Sequence, residues 1–169
     1  QRLGKDVPEG LIVGARGDHW FLHPEMKNKA EFKAFNEAFK ARTGAWPIYP
    51  VYHMAQAFAA LQAAYDKAGK AAGGKWPTRE QVVDAMSGVS STAWGRPVTL
   101  RSEDNQGVEA QMVGTTKKAD GYDFMVLDNM MIFDSAKIMN PPGQSTGDWL
   151  KTLKPDLIKI EVPTFKHGG

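Results

Sequence analysis

The side chains best suited to chemistry are concentrated in one short segment of this 169-residue chain, residues 16–20. Arg16 can pair bidentately with a carboxylate, and Trp20 can form the wall of a site for an apolar or aromatic ligand. Asp18 and His19 add further hydrogen-bonding groups. The segment follows an apolar run, and ligands of open α/β sheets bind beyond the carboxyl ends of strands. We therefore expect these four side chains to contact a ligand.

A second group of polar aromatic residues lies where a helix is expected to begin, after Pro50. Helix N-termini carry partial positive charge and free N–H groups, so His53 would stand in a position that suits a ligand carboxylate. Tyr52 and Tyr49 lie beside it, and each offers an apolar ring and a hydroxyl. We expect His53 and Tyr52 to belong to the ligand site, and Tyr49 either joins them or packs against Trp46.

The histidines could also bind a metal ion. His19 and His23 are spaced i, i+4, and His53 and Asp18 could complete a set of ligands. Pro24 and the polar loop before it argue against a continuous helix there, and a zinc site needs three or four convergent ligands with outer support. The sequence therefore predicts no metal and no cofactor.

Catalytic motifs are missing from the sequence. There is no cysteine and no Gly-x-Ser-x-Gly, so no activated nucleophile is evident. The glycine-rich stretch 69–75 lacks the spacing and the closing Ser or Thr of a phosphate-binding loop. We predict no catalytic residue and no enzymatic activity, although an enzyme on an α/β domain stays open as an alternative of another class.

Composition sets the broad class of the chain. Hydrophobic residues make up 42% and charged residues 24%, which is typical of a globular protein, and a net charge of +2 with mixed signs does not indicate nucleic-acid binding. No apolar run reaches the length of a membrane span, and no signal peptide is visible. The first residue is Gln1, so we expect a processed or partial chain.

The elements that must position these residues follow from the apolar pattern. An apolar run that opens at Gly10 predicts a buried strand over residues 10–15. Three segments with helical periodicity follow it. Thr78 and Gln81 fit a capping box at the start of the third helix. The predicted helices are 25–43, 51–67 and 78–88, and the predicted strands after them are 97–100, 108–115 and 122–127. A first strand with so little chain before it indicates that its sheet neighbours lie elsewhere.

An ordered series of short motifs carries a family resemblance over residues 9 to 130. Its main pieces are Glu9-Gly10-Leu11-Ile12-Val13, His53-Met54-Ala55-Gln56-Ala57-Phe58-Ala59-Ala60-Leu61, Val83-Asp84-Ala85-Met86-Ser87-Gly88 and Gly95-Arg96-Pro97-Val98-Thr99-Leu100. The series resembles the C-terminal half of the branched-chain amino acid (Leu/Ile/Val-binding-like) type of substrate-binding protein, the receptor of an ABC importer.

The resemblance implies an α/β, type I periplasmic-binding-protein fold with three-layer α/β/α lobes, of which this chain would hold a C-terminal fragment with parts of both lobes. Residues 1–15 would end the second lobe and enter the crossover. Residues 16–95 would form the helical part of the first lobe. Residues 96–169 would return to the second lobe and form the tail.

The same resemblance implies a function. A periplasmic, or extracellular and membrane-tethered, receptor would capture a small carboxylate-bearing ligand, an amino acid or an aromatic or aliphatic acid, between its lobes. Its partners would be that ligand, the membrane permease of the transporter, and either an upstream half of the same protein or an intertwined homodimer. A ligand-sensing regulatory domain of the same fold is the alternative.

Overall fold

A computed structural model gives the structure of residues 3–155 and 161–168. In chain order the elements are β1 (Ile12–Ala15), α1 (Ala30–Thr43), α2 (Tyr49–Ala71), α3 (Arg79–Met86), β2 (Ser90–Ala93), β3 (Arg96–Leu100), β4 (Gly107–Val108), β5 (Gln111–Lys117), β6 (Val126–Phe133), α4 (Ser135–Ile138), α5 (Thr146–Thr152) and β7 (Thr164–Phe165). Within these ranges no helix combines the length and the apolar character needed to cross a membrane.

Helix α2 is the central helix of the chain. It buries one side chain per turn, Tyr52, Gln56, Ala60, Ala64 and Ala68, and this i, i+4 spacing makes a single stripe. The small residues of the stripe let α3 approach closely, so that Val82 and Ala85 pack directly on Ala64 and Ala68. The helix is longer than predicted at both ends. It starts before residue 51 because Pro50 is favourable in a first helical turn.

The opposite face of α2 is open to solvent. Met54, Phe58 and Leu61, which share helical spacing in the sequence, are all exposed, Phe58 to 64%. Within the described chain, close packing of this helix is therefore confined to its buried stripe.

Helix α1 presents an aromatic face to the interior. Phe32 is completely buried and Phe35 and Phe39 are partly buried, whereas the lysines and glutamates between them face solvent. The helix begins at Ala30, five residues later than predicted, because residues 24–28 form turns. Gly44 ends it with φ +76°, a left-handed conformation that glycine adopts without strain.

Two antiparallel sheets complete the described fold. The larger has the order β1-β5-β6-β7 and the smaller the order β2-β3-β4. In the larger sheet Ile12 lies opposite Thr115, and Met112 lies opposite Ile132. The predicted capping box at Thr78 and Gln81 is present and fixes where α3 begins.

The strand predictions need five corrections. The strand predicted over 108–115 is divided into β4 and β5, and β7 was not predicted. Strand β1 is an edge strand with Leu11 and Ile12 exposed, Ile12 to 74%, so the prediction of a buried strand is wrong. The strand predicted over 122–127 occupies Val126–Phe133, because Tyr122 and Phe124 pack in an aromatic cluster around Phe21 instead of pairing in the sheet. Strand β2 was not predicted.

Candidate functional site

A cavity of about 350 Å³ opens where β1 ends and α2 begins. Its lining is mostly apolar and aromatic and is formed by Val13, Gly14, Arg16, His19, Trp20, Ile48, Tyr49 and Leu127. Three of the side chains predicted for the ligand site therefore lie in one cavity wall, together with Tyr49. Volume and lining are in the range expected for a small-molecule site.

Arg16 supplies the positive charge of this cavity. It is exposed, and its Cζ lies 5.6 Å from the ring centroid of Tyr49, a distance that allows a cation–π contact. Tyr49 in turn meets the ring of His53 edge-on, with centroids 5.5 Å apart. Arg16 is thus held beside the first turn of α2, in which Pro50 has no N–H and the Val51 N–H already donates to the Ile48 carbonyl.

Trp20 and His19 form the inner wall. Trp20 packs on Phe21 with ring centroids 4.5 Å apart, and Phe21 stacks on Trp46. The indole Nε1 of Trp20 is buried and has no hydrogen-bond partner. The aromatic cluster around Phe21 thereby fixes the loop after β1 to the chain before α2.

The Asp18 carboxylate is fully buried and accepts hydrogen bonds from two sides. The guanidinium of Arg96 binds Oδ2, and Arg96 also reaches Glu25 with an Nη1–Oε2 distance of 2.8 Å. Burial alone would raise the pKa of Asp18, but the hydrogen bond and charge of His19 and the charge of Arg96 outweigh it and hold the pKa below its usual value. Asp18 is a buried anion that ties the loop to β3.

His19 is buried between Asp18 and aromatic rings. Its Nδ1 lies 3.1 Å from Asp18 Oδ1 and 3.2 Å from Gln56 Nε2, and its ring stacks on Tyr52. Tyr52 lies outside the cavity lining; it is completely buried and donates a hydrogen bond of 2.8 Å to Asn36 Oδ1. Burial raises the pKa of Tyr52. A ligand contact by Tyr52 stays a prediction, and its contacts place it in the core behind His19.

His23 closes the far side of the Asp18 carboxylate. Its Nδ1 accepts a hydrogen bond from the Glu25 backbone N–H, and its Nε2 lies 3.9 Å from Asp18 Oδ2 without a hydrogen-bond partner. Burial is the main reason why the pKa of His23 falls to about 4. His23 is therefore neutral at pH 7 and carries its proton on Nε2, facing Asp18.

His53 is joined to the buried network through a glutamate. His53 Nε2 lies 2.7 Å from Glu109 Oε1, and Gln56 donates to Glu109 Oε2 over 2.6 Å. Gly17 makes this junction possible: its φ is +80°, and a Cβ there would stand 2.7 Å from Glu109 Oε1 and 2.8 Å from His53 Nε2. His53 borders the cavity by way of Tyr49, with its side chain 37% exposed.

Three side chains of this network are grouped closely enough to hold a metal ion. Asp18, His19 and Glu109 each offer one ligand atom within 4.8 Å of the others. The sequence set of His19, His23, His53 and Asp18 included two of them and missed Glu109.

A second cavity lies on the other side of Asp18 and Arg96. It measures about 450 Å³, and the carboxylates of Asp18, Glu25, Glu109 and Asp134 line it with Arg96. Four acidic groups against one guanidinium make it a poor site for an anion. The cavity at Arg16 is the one that suits a carboxylate.

The residues that sequence reasoning missed are Gln56, Arg96 and Glu109. They meet Asp18 and His19 across sequence separations of 37 to 91 residues, so no local spacing marks them. Arg96 and Gln56 lay inside the motifs that carry the family resemblance, yet only tertiary contacts reveal their role. Asp18 is buried and so requires a cationic or N–H partner, but its burial is visible only in the folded structure.

Comparison with known proteins gives matches to solved structures alone; no family model and no curated protein matches the sequence. An ABC-type branched-chain amino acid transporter from Rhodopseudomonas palustris superimposes with a TM-score of 0.61 at 19% identity, over 82% of this chain and 34% of that one.

Two further solved structures are similar at lower scores. A solute-binding protein of an ABC transporter from Rhodopseudomonas palustris, in complex with 3,4-dihydroxybenzoic acid, gives a TM-score of 0.49 at 21% identity, over 85% of this chain and 36% of that one. A leucine-, isoleucine-, valine-, threonine- and alanine-binding protein from Brucella ovis gives 0.48 at 23% identity, over 79% and 33%.

The likeness to the first of these structures establishes the fold. The chain has part of the type I periplasmic-binding-protein architecture, as predicted, and it spans about a third of the length of the solved chains that it matches.

Proposed function

We propose that this chain is part of a solute-binding receptor that captures a small molecule bearing a carboxylate. The observation that carries the proposal is the 350 Å³ cavity with Arg16 at its edge and Trp20 and Tyr49 in its walls. A guanidinium recognises a carboxylate through paired hydrogen bonds, and aromatic walls bind the apolar body of the ligand.

The charge around the cavity supports an anionic ligand. Among the described residues that line it there is no Asp or Glu, so Arg16 has no competing carboxylate within the wall. His19 and His53 then act at the border of the cavity, and Asp18 positions His19.

Capture is proposed to depend on closure of two lobes. The division expected from the sequence, 1–15, 16–95 and 96–169, is consistent with β1 pairing to β5, which joins the first and last segments in one sheet. The cavity lies where this sheet meets α2, that is, between the segments assigned to different lobes. A ligand touching both would favour the closed form, because only that form makes both sets of contacts.

The partners follow from the same architecture. We propose a membrane permease of an ABC importer as the protein that reads the closed form, and a periplasmic or extracellular, membrane-tethered location. The rest of a longer chain, or a second copy, would supply the other wall of the cavity. The solved structures of this fold that are described above are transport proteins, which favours capture over turnover.

A thermal-shift screen of the full-length protein tests the proposal. Panels of amino acids, aromatic carboxylic acids and aliphatic carboxylic acids are compared with the corresponding amides, which lack the charge. We expect at least one acid to raise the Tm by several degrees at saturation, and its amide to have no effect.

Two results would contradict the proposal. One is a screen in which no carboxylate stabilises the protein. The other is chemical conversion of the stabilising acid during prolonged incubation, measured by liquid chromatography, which would favour an enzyme.

A further inference from the structure

The buried polar network behind the cavity combines three of the four histidines of the chain with two carboxylates. Its members come from the loop after β1, from α2 and from the residue pair before β5. The only fixed cation that contacts the two carboxylates, among the described residues, is Arg96, on Asp18. Two carboxylates thus share one fixed cation, and the fully buried Asp18 is a charge that needs a compensating partner.

The hydrogen bonds at His19 are in conflict. Nδ1 lies within reach of an acceptor, Asp18 Oδ1 at 3.1 Å, and of a donor, Gln56 Nε2 at 3.2 Å. A single ring nitrogen either carries a proton or offers a lone pair, so it satisfies one of these neighbours at a time. The opposite ring atom, Nε2, is buried without a hydrogen-bond partner, and His19 is only 2% exposed.

Two more imidazole nitrogens face the network without a hydrogen bond. His23 Nε2 lies 3.9 Å from Asp18 Oδ2 in a completely buried side chain. His53 Nε2 lies 2.7 Å from Glu109 Oε1 but is not aligned for a hydrogen bond. His23 Nε2 carries a proton and can only donate toward Asp18, whereas an imidazole nitrogen with a free lone pair beside a carboxylate can bind a metal ion.

We propose that Asp18, His19 and Glu109 bind a divalent transition-metal ion, such as Zn²⁺. The three ligand atoms already lie within 4.8 Å of one another. Zinc holds nitrogen and oxygen ligands at about 2.0–2.2 Å, so tetrahedral neighbours stand about 3.3 Å apart. The Asp18 Oδ1 to His19 Nδ1 distance of 3.1 Å fits, and Glu109, whose ligand atom lies within 4.8 Å of the other two, needs to approach by up to about 1.5 Å.

The ion would resolve the conflict at His19. With Nδ1 bound to the metal, the proton moves to Nε2, and Asp18 Oδ1 becomes a ligand instead of an acceptor. Arg96 keeps Asp18 Oδ2 and orients the carboxylate, and the His23 N–H supports the same oxygen from the other side. The Gln56 amide, which now donates to Glu109, would turn its oxygen toward the ion.

The nature of the ligands selects the class of metal. Imidazole and carboxylate groups without thiolate suit Zn²⁺ and other divalent first-row transition metals, whereas Ca²⁺ and Mg²⁺ prefer all-oxygen sites. The bound ion would join the loop after β1 to α2 and to the start of β5. It lies behind the Arg16 cavity, so it holds the cavity wall and leaves Arg16 free.

Titration of the metal-free full-length protein with Zn²⁺ by isothermal calorimetry, and with Co²⁺ followed by visible absorption, tests this site. We expect one ion per chain and at least a tenfold loss of affinity in Glu109→Gln and His19→Asn. His167→Asn is the matched control, because His167 is the one histidine outside the network, and it should bind as the wild type does. Absence of Zn²⁺ binding at micromolar concentrations, or equal binding by all variants, would overturn the proposal.

Gln56→Glu separates a metal site from a merely structural network. A third carboxylate should lower the Tm of the metal-free protein and increase the affinity for Zn²⁺ at least tenfold, so that Zn²⁺ raises the Tm more than in the wild type. If Zn²⁺ leaves the Tm of both proteins unchanged, the network is not a metal site. Carboxylate binding at Arg16 is measured separately and does not depend on either outcome.

Discussion

At the residue scale, the loop after β1 carries two kinds of polar side chain that the sequence alone does not separate. Arg16 reaches the cavity, whereas Asp18 is buried and held by Arg96. The sequence places both in a loop beyond a strand, and that position is correct. Whether a side chain points to the cavity or to the interior depends on partners on β3 and before β5, which local spacing does not encode.

His23 should make the stability of the protein depend on pH. The unfolded chain binds a proton at His23 below about pH 6.5, whereas the folded chain does so only below about pH 4. Protons therefore favour the unfolded state in that window, and stability present at pH 7 is lost as the pH falls from 6.5 to 4, by up to about 3 kcal/mol. Urea unfolding at several pH values measures this loss.

His23→Asn is the variant for this measurement, because the asparagine oxygen can accept the hydrogen bond that the Glu25 backbone donates to Nδ1. It should flatten the dependence between pH 6.5 and 4. His167→Asn removes a histidine whose pKa burial lowers less, and it should flatten the dependence less. An unchanged slope in His23→Asn would contradict the assignment of a neutral, buried imidazole.

Tyr52→Phe should destabilise the protein by about 1–3 kcal/mol, because it leaves the buried Asn36 side chain without its hydrogen bond. Tyr49→Phe makes the same chemical change at a partly exposed position and should cost little. Thermal unfolding compares the two variants. Equal losses of stability in the two variants would show that the hydrogen bond of the Tyr52 hydroxyl does not stabilise the core.

At the element scale, helices were predictable and sheet pairing was not. The capping box at Thr78 and the glycine after Thr43 are local signals, and both act where predicted. The strand at 126–133 was shifted because its position is set by pairing with β5 and by the aromatic contacts of Phe124. Those contacts connect distant segments and leave no trace in the local pattern. The sequence alone therefore predicts a strand over the apolar run 122–127.

The buried stripe of α2 tolerates no larger side chain. Ala64 is completely buried against α3, so Ala64→Leu should cost about 1–3 kcal/mol through overpacking. Ala57→Leu makes the same change on the exposed face of the same helix and should stay within about 0.5 kcal/mol. Chemical denaturation provides both values; a loss at Ala57 equal to that at Ala64 would contradict the packing described here.

At the scale of the whole molecule, the exposed apolar residues are distributed over separate elements. Ile12 lies on the edge strand β1, Phe58 on α2 and Val83 on α3, and each is at least 60% exposed. An unpaired strand edge with an exposed apolar residue is prone to pair with another chain. This surface is what the predicted upstream half or intertwined dimer would cover.

The 169-residue chain produced alone should therefore associate. Light scattering is expected to give a mass above that of one chain, 18.6 kDa, and Phe58→Ser combined with Ile12→Lys should reduce it. The double variant Lys33→Ser with Lys40→Ser, at exposed polar positions of α1, is the control. A monodisperse monomer at high concentration would contradict the role given to these surfaces.

Calorimetric titration of the full-length protein with the carboxylic acid that stabilises it most tests the central proposal directly. We expect one site per chain, and a loss of affinity of at least tenfold in Arg16→Gln, because Arg16 is the cation that lines the cavity. Arg42→Gln removes an exposed arginine at the end of α1 and should bind as the wild type does. Equal affinity in the wild type and in Arg16→Gln would contradict carboxylate capture at this cavity.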